Sequence, residues 1–277
     1  MTAVDTAVRR ARALGAFYVA AGRQSITQRF TYRASNYLFM VGMLTEPVIY
    51  LIVWSAIARA RGGSVDGYTP GSLAAYYLVW TLVRSMNVVY APAGFEHRIT
   101  TGRMSGRLLL PVHPIHYDLA GFGGAKLVWI LQWLPVGAVL TLLFHPVLRP
   151  TVAGVAVFVV AIWGAFVLRS LFLWLLGLVT FWTTRASALF ELYLVLELLL
   201  SGRLVPVTLL PGWMRDAADW FPFKWTFGFP IDALVVPQST RELLGGLGAQ
   251  ALWIGCGSLL VAVVWRRALR RYTGVGG

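Results

Sequence analysis

The chain is short of the residues that soluble chemistry depends on. Its one cysteine, Cys256, lies in an apolar run, which excludes an internal disulfide framework and any four-cysteine metal site. Charged residues fill 13% of the 277 positions, about half of what a soluble domain uses to cover its surface. Acids are scarcer than bases, 11 against 24, giving a formal net charge of +13. No G-x-x-x-x-G-K-[ST] phosphate loop occurs; the nearest run, GFGGAK at 121–126, has the wrong spacing and opens an apolar stretch. If ATP drives this chain, a different polypeptide must bind it. No self-similarity with a period of 20–50 residues is visible, which argues against a repeat array. The first long apolar run begins only near residue 36, with no small-residue cleavage site behind it, so no secretory leader is expected and the mature protein should start near Met1.

What the chain has in abundance is hydrocarbon: 58% of its residues are hydrophobic. A membrane crossing needs about 20 predominantly apolar residues, and six segments are predicted as spans, at about 37–58, 72–93, 121–144, 152–182, 187–202 and 247–265. The predicted class is an all-α integral membrane protein with six transmembrane helices. The cations gather at the ends of these runs, where lipid headgroups account for them, so membrane lipid and not nucleic acid is the expected partner. With an even number of spans, fourteen arginines fall on the side of the termini. The other side holds seven cations, Arg203 among them, together with five acids. The positive-inside rule then makes both termini cytoplasmic, in a multi-pass protein of the plasma membrane.

Two domains follow. Residues 1–35 carry six arginines and one acid, with Leu14, Phe17, Tyr18 and Ala21 recurring at three- and four-residue spacing. That pattern predicts a basic amphipathic helix lying in the headgroup layer. Residues 36–277 are expected to form a single six-span transmembrane domain.

Between the second and third spans runs a basic, Gly- and Pro-punctuated loop, residues 94–119. Pro92 suits a helix start and Gly102 a helix stop. Phe95 and Ile99, four apart, share one face, with Glu96 and Arg98 projecting elsewhere. A short helix so built can dock an apolar knob into a partner's groove; a plain solvated connector is the other reading. His113 and His116 form an H-x-x-H pair, but Pro114 interrupts the helix that would align them and Asp118 makes a weak third ligand, so no metal site is expected.

Ionisable groups inside spans are costly and need a partner or a cavity. Arg84, Arg169, Glu191 and Glu197 are the candidates, and cross-helix pairing of either arginine with either glutamate is the economical solution. Such pairs serve packing or substrate contact alike. Residues 202–232 contain Pro206, Pro211, Pro222 and Pro230 beside Trp213, Trp220 and Trp225. One helix cannot run through that many prolines, and the aromatics favour the membrane interface. The segment predicts a re-entrant element on the outer face, with a short amphipathic helix near 211–221 packed on the bundle.

These features resemble the six-span permease subunits of type-2 ATP-binding-cassette exporters, particularly the bacterial daunorubicin-resistance-like group. The likeness covers nearly the whole chain. It rests on RITTGRMSGRLLLP at 98–111, and on Ser201-Gly202, Pro206, Leu210-Pro211, Phe221-Pro222-Phe223 and Pro230. The resemblance implies two cytosolic ABC ATPase subunits that bind ATP and Mg, with no cofactor in this chain, and a second permease subunit, the same or different. It implies a coupling helix in the 94–119 loop, contacting the ATPase through Phe95, Glu96, Arg98, Ile99, Gly102, Arg103 and Met104. It also implies an outer gate at Gly202, Pro206, Pro211, Trp213, Phe221 and Pro222. The chain lacks the large outer domain of many long-chain exporters. Two other classes remain open: an ion-coupled carrier using Glu191 and Glu197, and a membrane enzyme acting on lipid, for which only His113 and His116 are available. An apolar, Trp-rich bundle suits amphipathic drugs, lipids and glycans equally.

Overall fold

The computed structural model describes residues 3–31, 33–89, 92–183 and 186–271. Arg185, counted above with the cytoplasmic cations, lies outside them. The described chain is helical: α1 Ala3–Thr31, α2 Arg33–Met43, α3 Thr45–Ala60, α4 Pro70–Met86, α5 Pro92–Thr100, α6 Arg103–Leu108, α7 Pro114–Phe144, α8 Val152–Leu178, α9 Ala186–Leu200, α10 Gly212–Trp220, α11 Gly228–Val235 and α12 Thr240–Leu269. Several starts are written in capping residues. Thr69 Oγ1 accepts the Ser72 amide at 3.2 Å ahead of Pro70, Thr151 Oγ1 accepts the Gly154 amide at 3.0 Å, and Ser239 and Glu242 form a capping box. Each supplies an acceptor for an amide that the helix itself leaves unpaired.

Among the described residues, four helical stretches are long and apolar enough to cross a membrane: Ala34–Ala60, Pro114–Phe144, Val152–Phe181 and Thr240–Leu269. Two expected spans fall below that length. The apolar run at 72–93 forms the 17-residue α4 and then a break, and the run at 187–202 forms the 15-residue α9. At 1.5 Å per residue these reach about 26 and 22 Å, less than the ~30 Å of hydrocarbon. Asn87 caps α4 five residues before Pro92. Gly202, at φ +87°, stops α9 in the left-handed region that glycine enters without penalty.

Helix α8 is the central post, packing against α4, α5, α9, α11 and α12. Outward-facing leucines and valines such as Leu38, Leu142 and Leu252 are exposed, as a surface turned to lipid tails requires. Helix α1 lies along α7. The residues at three- and four-residue spacing, Leu14, Phe17, Tyr18 and Ala21, are partly buried while Arg9, Arg12 and Arg23 are exposed. The two helices meet backbone to backbone, since a Cβ on Gly124 would lie 2.7 Å from Gly22 Cα. Beside that crossing, the Tyr18 hydroxyl pairs with His116 Nδ1 at 2.9 Å, and Phe17 and Tyr117 stack edge-on at 4.7 Å.

Candidate functional site

Where α4 and α9 stop, five charged side chains form one chain of alternating sign. Arg84 pairs with Glu46, Glu46 with Arg203 at 3.0 Å, Arg203 with Glu197 at 3.3 Å, and Glu197 with Arg169 at 2.7 Å. The last contact is bidentate, Arg169 Nε and Nη2 each donating to one oxygen of Glu197, the second at 2.8 Å. Glu197 is 0% exposed. An isolated carboxylate there would be prohibitive, and the guanidinium fork supplies both charge and donors. The expected pairing of Arg169 with Glu197 is present. Arg84 instead takes Glu46, and Glu191 has no ion-pair partner among the described residues; it is exposed beside Leu192 and Val195.

The helix ends need donors as well, because a carbonyl inside a bilayer has no water to accept from. After α4, Lys126 donates to the carbonyls of Val88 and, at 3.4 Å, Ser85. Arg169 Nη1 donates to Asn87 O at 2.5 Å. Two cations thus sit at the negative end of the α4 dipole, where positive charge is favoured. Lys126 is 0% exposed, and its ammonium also lies 4.5 Å from the Trp129 ring and 4.9 Å from Phe166, an arrangement that compensates part of its desolvation. After α9, neutral donors serve: Tyr76 Oη gives to Gly202 O at 2.7 Å, Tyr77 Oη to Leu204 O at 2.8 Å, and Gly228 N to Ser201 O at 2.7 Å. Asn87 Nδ2 ties the first break to the segment before α11 by donating to Thr226 O at 2.5 Å.

At the α1 end of the bundle, α5 and α6 form a helical pair. Gly102 turns between them at φ 71°. Phe95, with Ile99 beside it, faces inward rather than toward a partner: Phe95 is fully buried, perpendicular to Trp174 at 4.8 Å. Gly177 makes room, since a Cβ there would lie 2.8 Å from the Phe95 ring. Met104 is buried in the same cluster as Phe95, Leu171, Leu178 and Trp265. Arg98 grips Asp118 of α7 in two bonds at 2.9 and 2.7 Å, and Asp118 also accepts from Trp174 Nε1 at 3.1 Å. Arg103 is exposed, and Glu96 and Gly102 are partly so. The predicted coupling residues therefore divide into anchors (Phe95, Arg98, Ile99, Met104) and an outward set (Glu96, Gly102, Arg103). The pair is fixed to α7 by Arg98–Asp118 and to α8 by Phe95–Trp174.

Residues 44–276 match the family model described as ABC-2 family transporter protein. The chain belongs to that family. No curated protein matches the sequence. The permease is thus the multi-pass membrane component of an ABC transporter, a non-catalytic subunit whose partners are ABC ATPase subunits.

At the other end of the permease, the proline-rich segment folds as α10 and α11 around the buried Pro206 and Pro222. The short helix falls within the predicted 211–221, Pro211 preceding it as N-cap, but its aromatic face turns the opposite way. Met214, Ala217 and Ala218 pack inward, while Trp213 and Trp220 are 72% and 81% exposed, with Phe221 exposed beside them. Tyr68 links the neighbouring 61–69 turn to this segment by a 3.2 Å hydrogen bond with Thr208; burial, aided by the charge of Asp232, pushes its phenol up to about 12. At the α7 start, His113 caps the helix, its Nδ1 accepting from the Ile115 amide at 3.4 Å. Burial, with His116 nearby, lowers its pKa to about 4. His116 is occupied by Tyr18, so the two histidines serve structure.

Sequence reasoning missed Glu46, Lys126 and Arg203. Glu46 reads as an ordinary acid in a helical first turn, and Arg203 as a loop cation. Lys126 has no acid to signal it, because its partners are carbonyls and rings.

Proposed function

We propose that this permease is half of the substrate pathway of an ATP-driven exporter similar to the daunorubicin-resistance-like group, working beside a second permease subunit, the same chain or another. Six crossings are assigned: α2–α3, α4, α7, α8, α9 and α12. The two short ones are completed by the non-helical backbone at 87–89 and 201–204, and irregular backbone at membrane depth is tolerated where protein surrounds it. Both termini then face the cytoplasm of the plasma membrane, as the arginine distribution favours. Helices α5 and α6 receive the ATPase, and the α10–α11 segment closes the outer exit.

The observation that carries this reading is the anchoring of the α5–α6 pair through Arg98–Asp118 and Phe95–Trp174. It turns a surface loop into a rigid lever on α7 and α8. The carrier reading loses support because Glu197, one of the two acids it would use, is held by two arginines. The test is to reconstitute the permease with the ATPase encoded beside it. Wild-type vesicles should move substrate only with ATP. Arg103→Glu should keep the complex inserted and hydrolysing ATP while abolishing transport. Transport by the lone chain under an ion gradient would overturn the assignment.

A further inference from the structure

Between α1, the start of α2, α6 and α7 lies a cavity of about 650 Å³ whose lining is basic and polar. Three arginines, Arg29, Arg98 and Arg107, face one acid, Asp118. Asp118 is already committed to Arg98 by two bonds, so two guanidiniums remain without a counter-charge. Both are held by neutral groups. Arg29 Nη1 donates to Asn36 Oδ1 at 3.2 Å and the guanidinium lies 4.9 Å from the Trp129 ring. Arg107 lies 5.3 Å from the Tyr117 ring, and its Nη1 has no hydrogen-bond partner among the described residues. Asn36 is itself fixed, its Nδ2 donating to Arg29 O at 2.8 Å. The neutral clamps set the guanidiniums in place without spending their charge.

A second cavity, of about 280 Å³, adjoins the first and shares Arg29, Ser35 and Asn36 with it. Its remaining walls are Phe39, Val88 and Trp129. The two chambers therefore meet at Arg29, Ser35 and Asn36, with polar walls on one side of that boundary and Phe39, Val88 and Trp129 on the other. A soluble anion would use the first chamber and leave the second empty of purpose. A molecule with a negative head and a hydrocarbon tail uses both, and the first chamber is of ligand-site size.

We propose that this two-chambered cleft binds an anionic phospholipid, its phosphate between Arg29 and Arg107 and one acyl chain along Phe39, Val88 and Trp129. Guanidinium pairs suit phosphate oxygens, which accept two parallel donors. The inference rests on the bilayer placement of the spans proposed above and is independent of the ATPase assignment. A bound lipid would join α1 to α2 and α7 through a ligand drawn from the membrane itself.

The test uses the full chain in nanodiscs of phosphatidylcholine with a minor fraction of phosphatidylglycerol, followed by native mass spectrometry of the lipids retained on release. Wild type should retain phosphatidylglycerol in preference. The Arg29→Ala, Arg107→Ala double variant should lose that preference by roughly 25-fold, about fivefold for each arginine beside an anionic headgroup. Ser35→Trp, which keeps both arginines and fills the boundary between the chambers, should lose it too. Arg12→Ala, on the exposed face of α1, should keep it. Unchanged retention in the double variant overturns the site. Displacement by inorganic phosphate, with Ser35→Trp retaining lipid normally, overturns the lipid in favour of a free anion. Should the double variant not fold, brominated-tail phosphatidylglycerol on the unmodified chain replaces it. It should quench tryptophan fluorescence more than brominated phosphatidylcholine, and Trp129→Phe should remove the difference; equal quenching by the two lipids sinks the proposal. Failure of ATP-driven transport would leave all these readings unaffected.

Discussion

The two helix breaks solve one problem by different chemistry. After α4, the carbonyls of Ser85, Asn87 and Val88 are met by the charged donors Lys126 and Arg169, each sent from another helix. After α9, Gly202 and Leu204 are met by the tyrosine hydroxyls of α4, and Ser201 by a backbone amide. Charge-assisted bonds are about twice as strong as neutral ones, but the charges must themselves be compensated. Arg169 at the first break is therefore compensated by Glu197; Arg203 at the second break belongs to the same ion chain, but its bonds go to carboxylates and not to the freed carbonyls. The second can lose a donor without stranding a charge. The difference marks the break at 87–89 as a fixed joint and the break at 201–204 as the one whose bonds exchange at lower cost.

The comparison can be broken most severely at Arg169. Arg169→Ala strips Glu197 of its bidentate partner and orphans Asn87 O, and should cost about 3–5 kcal/mol of stability, as losing one side of a buried pair does. Thermal unfolding in detergent measures it. Arg169→Lys should rescue little, because one ammonium cannot copy the fork. Next is Lys126→Met, which keeps the volume but leaves two carbonyls without their donor; a loss of about 2 kcal/mol is expected in the same assay. On the neutral side, Tyr76→Phe removes one hydroxyl from Gly202 O and should cost about 1 kcal/mol. If Tyr76→Phe proved as damaging as Arg169→Ala, the contrast between the joints would fail.

The smallest effect is a pH response away from both breaks. The folded state holds His113 near 4, below its ordinary value of 6.5, so the unfolded chain binds the extra proton first. Stability should be flat above about pH 6.5, fall as pH drops toward 4, and level off below. His113→Asn, which keeps a capping acceptor, should flatten the profile; unaltered slope would assign it to another group.

Much of this architecture was readable beforehand, and its omissions have physical causes. The 3–4 spacing of Leu14, Phe17, Tyr18 and Ala21 marked the inner face of α1, and Pro92 and Gly102 marked the limits of α5, because caps and periodicity are local. Arg169 with Glu197 was foreseeable because buried charges demand partners. Their companions were not, since Glu46 and Arg203 meet across 157 residues of sequence. Hydropathy overran α4, because the apolar composition continues past Met86 through residues that have left the helix, whereas at α9 it came within two residues of the end. The inward turn of Phe95 and the outward turn of Trp213 and Trp220 depend on which neighbours arrive, and no spacing within either helix records that.

The ion chain has one further consequence. Three arginines against two glutamates leave one excess positive charge inside the bundle. Any rearrangement that shifts this assembly along the bilayer normal moves that charge through the electric field of the membrane. A full traverse corresponds to about 2.3 kcal/mol per 100 mV, and a partial shift to a proportionate share. A conformational step that moved this assembly would thereby be biased by a voltage across the membrane, in proportion to the distance the charge travels.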